Sequence, residues 1–184
     1  RSLPSRIPFA GAMDPGAATY RGPSPLSEPE SSALIHLLAD DPPVGAVNLH
    51  SFMGTLIAAR VWDRSDWRTY AELVRAFRAA GGTYRRLGTP VFDVFTGELE
   101  DWLHHALGCW SVCVECFSLL ESARQHLQAP TPFARFNPTD PRPIATRDAQ
   151  AVRGMLQAMS QQPRPPLRAG AAESVDWGPA RLTE

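Results

Sequence analysis

The sequence contains no lysine, since all 18 of its basic residues are arginine. Against 19 acidic residues they leave a formal net charge of −1 at pH 7. Nucleic-acid-binding domains usually carry a strongly basic face, so this balance argues against nucleic acid as a partner. Lysine is normally among the commonest residues. Its absence fits either a GC-rich coding sequence or selection against lysine modification, as in a viral or other host-resident protein.

Cysteine is also scarce, with three residues in 184. A chain of this length can bury a hydrophobic core without disulfide staples, and an odd number of cysteines favours free thiols. We therefore predict a reducing, intracellular location, namely the cytoplasm, the nucleus or a virion. No apolar run reaches the roughly 18 residues that a membrane span needs, and no secretory signal is visible at the N-terminus.

The common catalytic and nucleotide-binding motifs are absent: the sequence has no P-loop, GxGxxG, HExxH or GxSxG. The clustered carboxylates, Asp40-Asp41 and Glu98/Glu100/Asp101, lie at predicted helix ends, where capping explains them. The sequence therefore predicts a protein that is not an enzyme and needs no cofactor. The function that fits this pattern is a helical interaction or assembly protein, such as a viral structural or accessory protein.

The distribution of proline and glycine predicts three regions. Residues 1–30 hold six prolines and read as an N-terminal arm, and residues 162–184 read as a proline-rich C-terminal tail. Between them, residues 31–161 are predicted to form an all-α domain of about five helices. Three of these helices are predicted to begin after Ser27, at Ser65 or Asp66, and near Thr146, and a fourth is predicted over 44–62. Residues 83–96 are poor helix material and predict a small irregular or β-hairpin insert.

The fifth helix is the long central one, predicted over residues 98–128, because no proline occurs there and apolar residues dominate. At 1.5 Å per residue it would be about 45 Å long and would overshoot a compact domain. Two alternatives remain open. The helix can be kinked at Gly108, or residues 110–117 can form a strand, because Trp110, Val112, Val114 and Cys116 alternate with the residues between them.

A metal site is a weak candidate on this predicted helix. His105, Cys109, Cys113 and Cys116 share one helical face, but a straight helix spreads them over roughly 16 Å along its axis. Zinc needs every ligand within about 2.3 Å of one point. A straight helix could offer two of these residues to one zinc ion, and the remaining ligands would have to come from elsewhere, such as His36 or His50. The favoured interpretation is that the cysteines are a buried apolar stripe without metal.

An enzyme is the alternative function, and it would depend on metal or thiol chemistry at the same four residues. Cys109 and His105 are four residues apart and could form a nucleophilic pair. The spacing Cys109-x3-Cys113-x2-Cys116 is similar to the iron–sulfur motif of radical SAM enzymes, which would imply a barrel fold. The chain has neither the length nor the strand–helix alternation of such a barrel.

Interaction residues are predicted on the long helix and in the tail. Trp102, Trp110 and Phe117 supply apolar surface that one small domain cannot cover, so we expect a homo-oligomer with further protein partners. The segment Pro163-Arg164-Pro165-Pro166 resembles an SH3-domain ligand, which implies docking in an extended conformation. Trp177 is a further aromatic that could dock in a partner's pocket.

Overall fold

The computed structural model describes residues 12–18, 20, 22–24, 26–86, 98–118 and 127–167. They fall into two compact units. The first takes its described residues from Arg1–Val44, Gly88–Cys109 and Arg164–Glu184, and contains helices α1 (Pro29–Asp40) and α3 (Leu99–Leu107). The second takes them from Gly45–Leu87 and Trp110–Pro163. It contains β1 (Gly45–Phe52), β2 (Thr55–Ala58), α2 (Arg64–Ala79), β3 (Arg85–Arg86), β4 (Trp110–Ser118), α4 (Pro132–Phe136) and α5 (Arg142–Ser160).

The second unit is built on a mixed four-stranded sheet in the order β1-β4-β2-β3. Strand β4 runs parallel to β1 and antiparallel to β2, and β2 runs parallel to β3. Although β1 and β2 are nearly consecutive in the chain, β4 lies between them. The short connection includes Gly54, whose φ is +61° and where a Cβ would lie 2.5 Å from the Cβ of Ser118. Glycine suits this position because the backbone is left-handed and crosses close to the end of β4.

The prediction of an all-α fold is wrong, since the chain has a mixed α/β fold. The helix predicted over 44–62 is replaced by β1 and β2. The three- and four-residue spacing of Leu49, Phe52 and Leu56 suggested a helix, yet the segment forms strands, and the partly buried Val47 packs against the core. Pairing with β4, which comes from much later in the chain, decided the outcome.

The long central helix is also absent, and the strand alternative for residues 110–117 is correct. Helix α3 ends at Gly108, which adopts the left-handed conformation with φ +59°, and the Cys109 N–H donates to the Leu103 carbonyl at 3.0 Å. Such a glycine is a common helix terminator. The β-branched residues that follow then enter the sheet, while residues 119–126 lie outside the described part of the chain.

The other helices agree more closely with the predictions. Helix α1 has Pro29 in its first turn, as expected. Helix α2 begins at Arg64, close to the predicted start, but its cap is Asp63 rather than Ser65 or Asp66, and the Asp63 side chain accepts from the Ser65 N–H at 3.0 Å. Helix α5 begins at Arg142, slightly earlier than expected. Of the predicted hairpin insert at 83–96, the structure describes the short strand β3, and residues 87–97 lie outside the described range. None of the helices in the described part of the chain has the length and apolarity that a bilayer crossing requires.

One hydrophobic core joins one face of the sheet to α2 and α5. The buried residues are Leu56, Val112 and Val114 from the sheet, Tyr70, Leu73 and Phe77 from α2, and Ala151, Met155 and Met159 from α5. The rings of Tyr70 and Trp110 meet edge to face with centroids 5.2 Å apart. Burying each of the larger side chains contributes about 1.5–3 kcal/mol to stability. This core covers the face of β4 that carries Val112 and Val114, whereas Cys113 and Glu115 lie on the opposite face of the strand.

A buried polar network fixes the end of β4. Tyr84, which is 2% exposed, donates its hydroxyl to Asp148 Oδ2 at 2.6 Å and accepts from the Phe117 N–H at 2.8 Å and from Arg147 Nη2 at 2.7 Å. Phe117 has a φ of +66° and lies where the register of β4 against β1 shifts, so its backbone is strained. Burial, reinforced by the hydrogen bond to Asp148, raises the pKa of Tyr84, so the phenol stays protonated and can donate.

Replacing Tyr84 with phenylalanine tests this network. The substitution leaves a buried carboxylate oxygen and a buried N–H without the hydroxyl, so we expect the free energy of unfolding to fall by about 2–4 kcal/mol. Urea denaturation followed by circular dichroism measures the change. Tyr20→Phe removes the same atom outside the network and should change stability by less than about 0.5 kcal/mol. Equal effects of the two substitutions would contradict the assignment.

Candidate metal centre

The face of the sheet opposite the core brings together one histidine, one cysteine and one glutamate. His50 lies on β1, and Cys113 and Glu115 lie on β4, where a spacing of two places them on one face. The parallel register pairs His50 with Glu115 and Asn48 with Cys113. One ligand atom from each of His50, Cys113 and Glu115 lies within 4.8 Å of the others. The three side chains therefore converge on one region above the β1–β4 pair.

Glu115 carries the most unusual atom of this cluster. Its Oε2 is buried and has no hydrogen-bond partner among the described residues. Buried polar atoms nearly always have a partner, and one that lacks it needs a bound ion, a water or a functional reason. An unsatisfied carboxylate oxygen next to an imidazole and a thiol is the donor chemistry of a transition-metal site.

The orientation of His50 is set by its own strand. Its Nε2 lies 3.1 Å from Nδ2 of Asn48, two residues earlier on the same face. The two ends of an amide are assigned from hydrogen bonding, and turning the Asn48 amide over presents its oxygen to an Nε2–H. That pairing leaves Nδ1 unprotonated. Histidines that bind metals commonly donate their second ring N–H to such an acceptor.

The four residues predicted as weak metal candidates do not share a helical face, because that helix does not exist. His105 belongs to α3 and Cys109 follows that helix, so both lie in the first unit. Cys113 and Cys116 lie on β4, and their odd spacing places them on opposite faces. Of the four, Cys113 joins the cluster with His50, which the sequence suggested as a possible outside ligand. Glu115 was missed, and the signal that could have found it is the two-residue period of β4.

Two of the cysteines are poor nucleophiles. Burial raises the pKa of the Cys116 thiol to about 11, and the nearby charge of Asp148 acts in the same direction. Burial also raises the pKa of the Cys109 thiol to about 11, against the opposing influence of Arg164. A catalytic cysteine needs a lowered pKa. The suggested Cys109–His105 nucleophile therefore lacks the electrostatic setting that it requires.

The face of the sheet that carries Cys116 borders a mainly apolar cavity of about 810 Å³ next to α5. Leu49, Phe136, Ile144 and Val152 line it, and Asp148 is among its few charged groups. Among the described residues that line it, no group of metal-binding side chains converges as on the His50 face.

The predicted interaction residues fall into three groups. Trp102, Trp110 and Phe117 are buried, and the indole N–H of Trp110 donates to the Pro163 carbonyl at 2.9 Å. Pro163 and Pro166 are exposed, while Trp177 lies outside the described residues. The long helix that suggested self-association is absent, and the homo-oligomer and its protein partners stay predictions.

Comparison with known families gives a match over most of the chain. Residues 8–121 match the profile of the zinc carboxypeptidases, peptidase family M14. The matched region includes α1, the complete sheet and the His50, Cys113 and Glu115 cluster. Comparison with curated proteins gave no significant match.

Solved structures support the same fold. Carboxypeptidase A from Helicoverpa armigera is 16% identical with a TM-score of 0.63, and the alignment covers 87% of this chain and 41% of that chain. Bovine thrombin-activatable fibrinolysis inhibitor, in complex with tick carboxypeptidase inhibitor, is 17% identical with a TM-score of 0.63, and the alignment covers 87% of this chain and 55% of that chain. A second structure of thrombin-activatable fibrinolysis inhibitor is 17% identical with a TM-score of 0.63, and the alignment covers 88% of this chain and 41% of that chain. The chain thus spans about half the length of these proteins or less.

These matches overturn the expectation of a non-enzymatic, viral-type assembly protein, and they favour the alternative of a metal-dependent enzyme. The search for short catalytic motifs failed for a physical reason. His50 and Glu115 come from strands that are distant in sequence and adjacent in the sheet. No contiguous motif of the kinds sought could contain both.

The raised thiol pKa values predict a pH dependence of cysteine labelling. Below about pH 11 the neutral thiols of Cys109 and Cys116 dominate. Alkylation of the native protein should therefore be slow at pH 7.5 and should become faster as the pH rises toward about 11. Unfolding should speed it up, because an unperturbed cysteine has a pKa of about 8.5. Iodoacetamide labelling followed by peptide mass spectrometry measures both rates. Complete native labelling of either residue within minutes at pH 7.5 would contradict the prediction.

Proposed function

Since the chain belongs to the zinc carboxypeptidase family, we propose that it forms the part of a zinc-dependent peptidase that carries His50 and Glu115. The reaction is removal of the C-terminal residue of a peptide by hydrolysis. The observation that supports this proposal is the pairing of His50 with Glu115 on adjacent strands, with the buried Glu115 Oε2 lacking a protein partner. The likeness to the solved structures supports the fold alone.

The residues present fit zinc. Imidazole nitrogen and carboxylate oxygen are both common zinc ligands, and Asn48 provides the outer partner that orients a metal-binding histidine. A catalytic zinc usually has three protein ligands and one open position. We assign His50 as one of the three. Bound zinc supplies a coordinated water with a pKa near 7 and polarises the substrate carbonyl.

Glu115 is proposed as the general base rather than as a primary ligand. Its Oε2 accepts a proton from the attacking water while the water oxygen forms a bond to the carbonyl carbon. The carboxyl group then delivers that proton to the amine nitrogen as the C–N bond breaks. A buried oxygen without a competing protein donor is suited to this role, because it is available to the water. The strand pairing holds the carboxylate next to His50 throughout.

Glu115→Gln tests the base. The amide keeps the size of the side chain but accepts a proton poorly, so kcat should fall by about 10²–10⁴-fold. The assay follows release of the last residue from peptides with a free C-terminal carboxylate by the zinc-loaded protein, with amidated peptides as the negative substrate. Glu72→Gln, an exposed glutamate on α2, is the matched control and should retain full activity. Normal turnover by the Glu115 variant would refute the assignment.

Asn48 is proposed as a positioning residue for His50. Asn48→Ala should lower zinc affinity by about 10–100-fold, which is typical for loss of an outer partner. Asn48→Asp keeps an acceptor for the Nε2–H and should restore most of the affinity. Competition with a chromophoric chelator gives the dissociation constants. If alanine and aspartate variants bind zinc equally, Asn48 does not orient the ligand.

A further inference from the structure

The cluster contains a group that the proposed peptidase chemistry does not use, the thiol of Cys113. Its Sγ lies within 4.8 Å of a ring nitrogen of His50 and of a carboxylate oxygen of Glu115. It reaches this position because residues 113 and 115 of β4 point to the same side, and because Cys113 is paired in register with Asn48. The residue is 5% exposed, so its sulfur is held by the surrounding structure.

We propose that Cys113 is a sulfur ligand of the metal that His50 binds. This proposal rests on the proposed function, since it concerns the same metal, and it adds a donor that makes the site selective for thiophilic cations. Zn²⁺, Cd²⁺ and Co²⁺ are the cations of this class, whereas Mg²⁺ and Ca²⁺ prefer oxygen ligands.

The geometry requires a modest adjustment. In a tetrahedral zinc site the nitrogen and sulfur ligands are about 3.5 Å apart, given bonds of about 2.0–2.1 and 2.3 Å. The donors here lie within 4.8 Å of one another, so contraction by about an ångström is enough. His50 is exposed and can rotate about its side-chain torsions, while the buried Cys113 stays fixed. The adjustment is therefore expected from the exposed histidine and its Asn48 partner rather than from Cys113.

Coordination by Cys113 leaves Glu115 available for its proposed role. On binding, the thiol loses its proton to solvent and the thiolate forms the bond to the metal. The ligands from the cluster are then one nitrogen and one sulfur, and the Glu115 carboxylate remains to accept a proton from water. Cys116 cannot substitute for Cys113, because it lies on the opposite face of β4 beside the apolar cavity.

Cobalt substitution tests the ligand directly. A thiolate bound to Co²⁺ produces a ligand-to-metal charge-transfer absorption in the near ultraviolet, which imidazole and carboxylate ligands do not. Titration of the purified chain with Co²⁺ should show this band in the wild type. Cys113→Ser and Cys113→Ala should lose the band. Loss of an outer partner of a metal ligand typically lowers metal affinity by about 10–100-fold, and loss of the Cys113 ligand itself should lower the affinity for Co²⁺ and Cd²⁺ by at least as much.

Cys116→Ser and Cys109→Ser are the matched controls, since each removes a thiol outside the cluster and should retain the band. Circular dichroism of every variant reports whether it is folded, and the serine and alanine variants at Cys113 give two independent chances of a folded protein. A charge-transfer band that persists in both Cys113 variants, or that is absent from the wild type while Co²⁺ binds, overturns the sulfur ligand. In that second case a loss of Co²⁺ binding in His50→Ala leaves the proposed function standing. Binding that is unaffected by His50→Ala removes the proposed metal site itself.

Discussion

The pairing of β4 on both of its edges is the constraint on which the second unit depends. Strand β1 takes one edge and β2 takes the other, so both rows of backbone groups on β4 are used. Burial of Val112 and Val114 against the helices then fixes which residues face the core. Because side chains alternate, a slip of one residue would turn Cys113 and Glu115 into apolar surroundings. Core packing therefore determines the position of the polar cluster without contacting it.

The cluster has an energetic cost that the core offsets. Leaving a buried polar atom without a partner costs about 1–3 kcal/mol. The unsatisfied oxygen of Glu115 is such an atom, and it lies at the point where His50 and Cys113 converge. Each large core side chain contributes a similar amount of stability, about 1.5–3 kcal/mol. The unit can thus hold a carboxylate in a reactive setting at the cost of roughly one core contact.

The sequence was informative about local structure and misleading about long-range structure. Helix α2 could be predicted because the stripe of Tyr70, Leu73 and Phe77 lies within one segment, although its cap is Asp63 rather than Ser65 or Asp66. Strands β1 and β4 could not be separated from helices, because their apolar residues also satisfy helical spacing and their partners are far away in the chain. Gly108 was recognised as a place where the long segment could break, but its left-handed conformation was not predictable from its neighbours.

The same limitation explains the outcome for the candidate site. Cys113 was considered as a ligand for the wrong reason, with cysteines that the structure places elsewhere. His50 was named as an outside ligand without a partner, and Glu115 was not considered as a ligand or as a base. Only the register that pairs His50 with Glu115 brings the two together. Residue types and spacing along the chain carry no record of that register, whereas the profile of a whole family does.

The hydroxyl of Tyr84 has a consequence for how the protein can evolve. It ties Asp148 and Arg147, at the start of α5, to the strained backbone of Phe117, and Phe117 follows Glu115 by only two residues. We expect a substitution that displaces this part of α5 to disturb the end of β4, two residues away from Glu115. The choice of residue at positions 147 and 148 is thereby tied to the strand end that they hold in place, although neither residue belongs to the His50, Cys113 and Glu115 cluster.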